Sequence, residues 1–155
     1  MLSALDRHRV SYVVVGAFAR VVHGADEVTR GVDIVPSLRP ENLHRLELAL
    51  RDLDARSTDG GDLEVEQAAR DESVIELQTP RGELKVVPQP EGTRGYDDLR
   101  RHATREPLGA GVRPSVASLG DLSRMLAALG RTEDEGRLRA LHRLAELERQ
   151  VGLEL

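Results

Sequence analysis

The chain has 155 residues, 39% of them hydrophobic and 32% charged, a composition typical of one globular domain with its own core. Its formal net charge of −5 gives the whole surface no field that would collect nucleic acid, and the absence of cysteine excludes disulfides and thiolate metal sites. No apolar run is long enough to span a bilayer and no signal peptide precedes the first strand, so we expect a cytoplasmic protein with no membrane partner.

The first half of the sequence predicts helices that alternate with strands. Residues 2–10 are predicted as a short helix, and the β-branched run "SYVVVG" as a strand that ends at Gly16. A helix of about two turns, residues 17–24, and a second strand, "VDIVP", follow. The clearest helix covers residues 39–55, because Pro40 lies in its first turn and its leucines recur at helical spacing.

The second half predicts a hairpin and then shorter elements. Residues 63–72 are ambiguous and stay unassigned, whereas "SVIELQT" and "ELKVVP" on either side of the turn "PRG" are typical of a hairpin. A loop, residues 88–95, precedes a short helix at 96–103 and a short strand at 111–117.

Two capped helices end the chain. Ser118 with Asp121 resembles a capping box, and Thr132 with Glu135 forms a full T-x-x-E box that is expected to begin the last helix. The whole pattern predicts an α/β (α+β) domain with a mixed sheet flanked by helices. We expect residues 1–117 to form its core and residues 118–155 to form a helical pair that packs on this core as part of one domain.

Two of the predicted strands share an unusual feature. "GVDIVP" and "ELKVVP" each carry one charged residue between apolar neighbours, and Lys85 is the only lysine in the chain. Strand alternation turns Asp33 and Lys85 away from those neighbours, so both emerge on one face if the strands are adjacent. The alternative is that both charges lie on a solvated face, as is common in antiparallel sheets.

The residues around Asp33 carry a family resemblance. "YVVVGAFARVVHGADEVTRGVDIVPS" resembles the opening of bacterial nucleotidyltransferase-fold proteins of the abortive-infection AbiEii toxin type. In that family a strand ends in Gly-Gly, Gly-Ala or Gly-Ser, and "T-R-D-x-D-I-V" and a later "G-x-L-D-x-V-P" supply three carboxylates. "VASLGDLSRMLAALGRTED" is similar to the family's "ASLEDLIRMKxAAGRPKD". The resemblance covers nearly the whole chain and implies a nucleotidyltransferase-like sheet.

The resemblance also implies a chemistry. In the family the three carboxylates hold divalent metal, usually two Mg²⁺, which bridges the phosphates of an NTP. Members transfer a nucleotide from the NTP to a hydroxyl of RNA, protein or a small molecule. The residues expected to contact the nucleotide here are Gly16, Ala17, Thr29, Arg30 and Tyr96.

This chain departs from the family at the metal ligands. Asp33 matches the second carboxylate, but Gly31 and Lys85 stand at the positions of the first and third, and Leu126 replaces a common lysine. We therefore expect weak or no activity, with metal at Asp33 weakly bound or missing. We expect Lys85 to pair with Asp33 and to keep it charged.

Three alternatives remain open at this stage. In an active enzyme, Asp26, Glu27 or Glu83 would have to replace the missing ligands. A pseudoenzyme would instead bind a nucleotide, an RNA or a protein, in a role related to toxin–antitoxin systems. A deliberately inactivated variant would carry its changes at Gly31 and Lys85. All three place Gly16, Ala17, Asp33 and Lys85 in one pocket, expected at the edge of the sheet, and none predicts an oligomeric state.

Overall fold

The computed structural model describes residues 1–154, and Leu155, the last residue of the predicted helical pair, lies outside the described residues. The helices are α1 (Leu2–Arg7), α2 (Gly16–Val22), α3 (Pro40–Asp52), α4 (Val65–Arg70), α5 (Tyr96–Leu99), α6 (Leu119–Ala128) and α7 (Glu135–Glu154). The strands are β1 (Tyr12–Val15), β2 (Gly31–Pro36), β3 (Arg56–Ser57), β4 (Ile75–Thr79), β5 (Gly82–Val86), β6 (Thr104–Arg105) and β7 (Ser115–Val116). No helix within residues 1–154 is both long and apolar enough to cross a lipid bilayer.

The strands form one mixed sheet of seven, in the order β3-β4-β5-β2-β1-β7-β6. Strand β2 lies at its centre, antiparallel to β1 and parallel to β5. All four residues of β1 are buried, which requires that helices cover both faces of the central strands. The predicted mixed α+β architecture is confirmed.

Helices pack in two groups around the sheet. Helix α3 contacts α1 and α4, and helix α6 contacts α2 and α7. Leu119, Leu122 and Leu126 of α6 belong to the same buried cluster as the strand residues Val14 and Ile34. The first of the two C-terminal helices therefore contributes directly to the main core.

Three local predictions need comment. The unassigned residues 63–72 contain α4, whose apolar residues Val65 and Ala69 are buried one turn apart. The Ser118 cap is confirmed, because its Oγ accepts a hydrogen bond from the Asp121 amide at 3.1 Å. The predicted Thr132 box is wrong: residues 132–134 form a 3₁₀ turn without a side-chain cap, and α7 begins after it at Glu135.

Candidate functional site

The candidate site is built around the turn from β1 into α2. Gly16, the first residue of α2, has a φ of +73°, a conformation that disfavours any residue with a side chain. A Cβ atom at Gly16 would lie 2.5 Å from Oδ2 of Asp33. The glycine is therefore required both by its backbone conformation and by the close approach of the Asp33 carboxylate.

Asp33 belongs to a row of three charged residues that crosses the sheet. Lys85 on β5 is paired with Asp33 on β2 and with Glu76 on β4. Paired residues on neighbouring strands point to the same face, so Asp33 and Lys85 share a face, as the strand pattern predicted. Because β2 lies in the middle of the sheet, the expectation of a site at the sheet edge is wrong.

The expected ion pair between Asp33 and Lys85 is not formed. The Lys85 ammonium lies 3.8 Å from Oε1 of Glu76, and this pair is open to solvent, with side-chain exposures of 44% and 61%. No side chain among residues 1–152 forms an ion pair or a hydrogen bond with Asp33. An exposed pair such as Lys85–Glu76 contributes only about 0–1 kcal/mol to stability.

The charge state of Asp33 also differs from the expectation. Burial raises the pKa of the Asp33 carboxyl group, and the nearby cations Lys85 and Arg20 offset this only in part. Glu76 and Glu83 raise the pKa of Asp33 further. Lys85 thus favours the charged form of Asp33 without outweighing desolvation.

A cavity of about 410 Å³ opens over these residues, between the sheet and α6. Gly16, Asp33 and Lys85 line it together. Its other charged lining residues are Arg20, Glu72 and Glu91. Its apolar lining consists of Val15, Val74, Val87, Pro90, Leu122, Met125, Leu126 and Leu129.

The other residues expected to contact a nucleotide lie outside the lining of this cavity. The hydroxyl of Thr29 donates a hydrogen bond to the carbonyl of Gly31 at 2.8 Å, which shapes the start of β2. The side chain of Arg30 is exposed to solvent, and Tyr96 packs against the core from α5. Ala17 follows Gly16 in α2 but is not a lining residue.

The residues around Asp33 do not suit a two-metal site. A Cβ atom at Gly31 would lie 2.0 Å from the carbonyl oxygen of Glu83, so β2 and β5 leave no room there for the first carboxylate of the family motif. Lys85 occupies the third position with a cation. Within the described chain, no three His, Cys, Asp or Glu side chains are grouped to hold a metal ion. One carboxylate next to an ammonium is a poor donor set for Mg²⁺.

The proposed substitute ligands do not repair the site. Glu27 is bound by Arg20, with N···O distances of 2.7 and 3.0 Å, and it also lies 3.3 Å from Arg137. Asp26 and Glu83 are exposed, and neither lines the cavity. Glu27 is therefore engaged elsewhere, and Asp26 and Glu83 lie outside the cavity in which a metal site beside Asp33 would form.

Sequence analysis missed several residues of the site. Arg20 lies one helical turn after Gly16, and this i, i+4 spacing is a signal that could have located it beside the glycine turn. Met125 and Leu129 lie in or next to a helix that the sequence identified, but only the docking of α6 over β2 makes them lining residues. No local pattern indicates Glu72 or Glu91.

Comparisons with known proteins agree on the architecture. No protein-family model matches the sequence, and no curated protein matches it either. Among solved structures, the lincosamide antibiotic adenylyltransferase LnuA, with lincomycin bound, aligns with a TM-score of 0.62 and 14% identity over 92% of each chain. The antibiotic-resistance factor ANT(2'')-Ia aligns with a TM-score of 0.60 and 15% identity, over 99% of this chain and 90% of its own.

A third structure supports the same assignment. A Thermotoga maritima protein described as a nucleotidyltransferase aligns with a TM-score of 0.57 and 17% identity, over 92% of this chain and 88% of its own. This chain has the nucleotidyltransferase fold. The nucleotidyltransferase-like sheet implied by the resemblance is confirmed, and the assignment to the AbiEii type stays a prediction from the sequence motifs.

Proposed function

We propose that this protein is a nucleotidyltransferase-fold protein of the AbiEii type whose metal centre is degenerate. It transfers nucleotides weakly or not at all, and it retains the cavity over Asp33 as a ligand-binding site. The observation that carries this proposal is the contact between Gly31 and the Glu83 carbonyl. A backbone packed this closely excludes the first carboxylate, and it leaves Asp33 without partners for a two-metal clamp.

The electrostatics of the site support the same conclusion. A metal centre neutralises the negative charge of the triphosphate and of the carboxylates that hold it. Here Asp33 lies near the cations Lys85 and Arg20 and also near the carboxylates Glu76 and Glu83. Without divalent metal, a triphosphate placed beside Asp33 would meet like charges, and Lys85 is already paired with one of them.

The departures from the family motifs are not confined to the metal ligands. Leu126, Thr132 and Glu133 also differ from the family's usual residues, and a variant made only to inactivate the metal site would not need these changes. We therefore favour natural divergence over a deliberately inactivated variant.

The test is a transfer assay with labelled NTPs in the presence of Mg²⁺ or Mn²⁺. Acceptors are bulk RNA, protein, lincomycin and tobramycin; the last two are chosen because LnuA binds lincomycin and ANT(2'')-Ia is seen with adenylyl-2''-tobramycin. We expect labelling at background level or only weakly above it for every acceptor. Robust labelling that disappears in Asp33→Ala would overturn the proposal.

A further inference from the structure

The charges that line the cavity are not balanced. Arg20 is held by Glu27 through two hydrogen bonds of 2.7 and 3.0 Å, and Lys85 is directed to Glu76. The carboxylates of Asp33, Glu72 and Glu91, in contrast, form no ion pair or side-chain hydrogen bond with any of residues 1–152, whose side chains the structure describes. Both cations of the lining are thus occupied, while its three carboxylates are not.

The wall opposite Asp33 is apolar. Helix α6 and the turn after it contribute Leu122, Met125, Leu126 and Leu129, and β5 is continued by Val87. Leu129 is 45% exposed although it lies at the cavity, and Met125 has the flexible thioether that adapts to ligands of different shape. A volume of about 410 Å³ lies within the range of small-molecule sites.

We propose that this cavity binds an organic cation with an apolar body, whose ammonium or guanidinium group meets the Asp33 carboxylate while its apolar part packs on α6. The proposal rests on the proposed function, because a working metal centre would place cations and a triphosphate at the same carboxylate. Charge complementarity with the lining carboxylates favours a cationic ligand over an anionic one. A cation gains a charge-assisted hydrogen bond to a half-buried carboxylate, whereas an anion of the same shape meets three free carboxylates.

The test uses three probes that share one apolar body and differ in charge: 4-phenylbutylamine, 4-phenylbutanol and 4-phenylbutyrate. Each is titrated into the full chain at pH 7 in EDTA, with amide chemical shifts and calorimetry as the readouts. We expect the amine to bind about tenfold more tightly than the alcohol, with shift changes at Gly16, Asp33 and α6. We expect no binding of the carboxylate.

Two variants identify the group that recognises the charge. Asp33→Asn keeps the shape of the side chain and should reduce the affinity for the amine to that for the alcohol, with the alcohol unchanged. Asp62→Asn is the matched control, because it removes the same charge at an exposed residue outside this cavity, and it should leave all three probes as they are. Amide spectra of both variants establish that each is folded.

Each possible result of the titrations either supports or overturns the cation site. Equal affinity for amine and alcohol, an unchanged amine affinity in Asp33→Asn, preference for the carboxylate, or no binding of any probe at millimolar concentration would each overturn it. The transfer assay is independent of these results, since the titration contains no metal. Robust metal-dependent nucleotide transfer would overturn the proposed function, whereas a probe series without amine preference would overturn the cation site alone.

Discussion

Asp33 is a carboxylate that the folded protein holds in an unfavourable environment. Burial raises its pKa above the ordinary value of 3.8, and Lys85 and Arg20 offset this only in part. A carboxyl group with a raised folded-state pKa binds more protons in the folded state, so its contribution to stability falls as pH rises from the unfolded pKa through the folded pKa. Above that window Asp33 is charged in both states and its destabilising effect is complete.

We predict that Asp33→Asn stabilises the protein at pH 7 and has a smaller effect at pH 3.5, where the carboxyl group is mostly protonated in both states. The measurement is the free energy of unfolding from urea denaturation at the two pH values. A gain that is larger at pH 3.5 than at pH 7 would show that Asp33 is stabilised in its charged form after all.

Gly31 stands where a complete metal centre would have its first carboxylate. We predict that Gly31→Ala lowers the free energy of unfolding by roughly 1–3 kcal/mol, the usual cost of an overpacked position, because its Cβ would lie 2.0 Å from the Glu83 carbonyl oxygen. Gly120→Ala in α6 is the control. Its Cβ meets nothing closer than 3.9 Å, and alanine is favoured over glycine in a helix by about 1 kcal/mol. If Gly31→Ala is as stable as the parent, β2 and β5 can separate and a carboxylate could be accommodated.

At the scale of elements, α6 covers the sheet at the candidate site, and its side chains turn an open sheet face into a cavity. The helix begins with the Ser118 hydroxyl bound to the Asp121 amide at 3.1 Å.

We predict that Ser118→Ala costs about 0.5–2 kcal/mol of stability, as loss of a helix cap does, while Ser123→Ala within the same helix has a smaller effect. Hydrogen exchange of the α6 amides checks the assignment: protection should fall at the start of α6 in Ser118→Ala only. Equal protection in both variants would exclude a role for the cap.

At the scale of the whole molecule, a chain of ion pairs joins α7 to the loop before β2. Asp134, whose side chain is fully buried from solvent, accepts hydrogen bonds from Arg131 and Arg137 at 2.6 and 2.8 Å. Arg137 also lies 3.3 Å from Glu27, which binds Arg20 in the cavity lining. The last helix is thereby connected to the candidate site through side chains far apart in the sequence.

We predict that Asp134→Asn destabilises the protein at pH 7 and that the loss disappears in acid. The hydrogen bond from Arg131 lowers the pKa of Asp134 below its ordinary value, so the stability it contributes is present above the unfolded pKa and lost as pH falls through the folded pKa. Its pH dependence is therefore opposite in sign to that of Asp33→Asn. The free energy of unfolding of Asp134→Asn and of the exposed control Glu133→Gln is measured by denaturation at pH 7 and pH 3. Equal losses of stability for Asp134→Asn at both pH values would contradict the pairing of Asp134 with the arginines.

Local pattern determined much of this fold. The β-branched run before Gly16, the charged residue set between apolar neighbours in "GVDIVP" and "ELKVVP", and the Ser118 cap each specify a conformation through nearby residues. For that reason the strands, the main helices and the common face of Asp33 and Lys85 follow from the sequence. Residues 63–72 do not, because α4 is stabilised mainly by the burial of Val65 and Ala69 rather than by its own periodicity.

Only the tertiary structure decided the chemistry of the site. The sequence predicts that Lys85 and Asp33 share a face if their strands are adjacent, but it cannot show this adjacency, the pairing of the ammonium with Glu76 on the next strand, or the dominance of burial in the pKa of Asp33. It identifies Gly31 as a missing ligand, whereas the structure shows that the neighbouring strand fills the space. Ion pairing, desolvation and steric room depend on distances between segments remote in the chain, and a single sequence determines strand pattern without those distances.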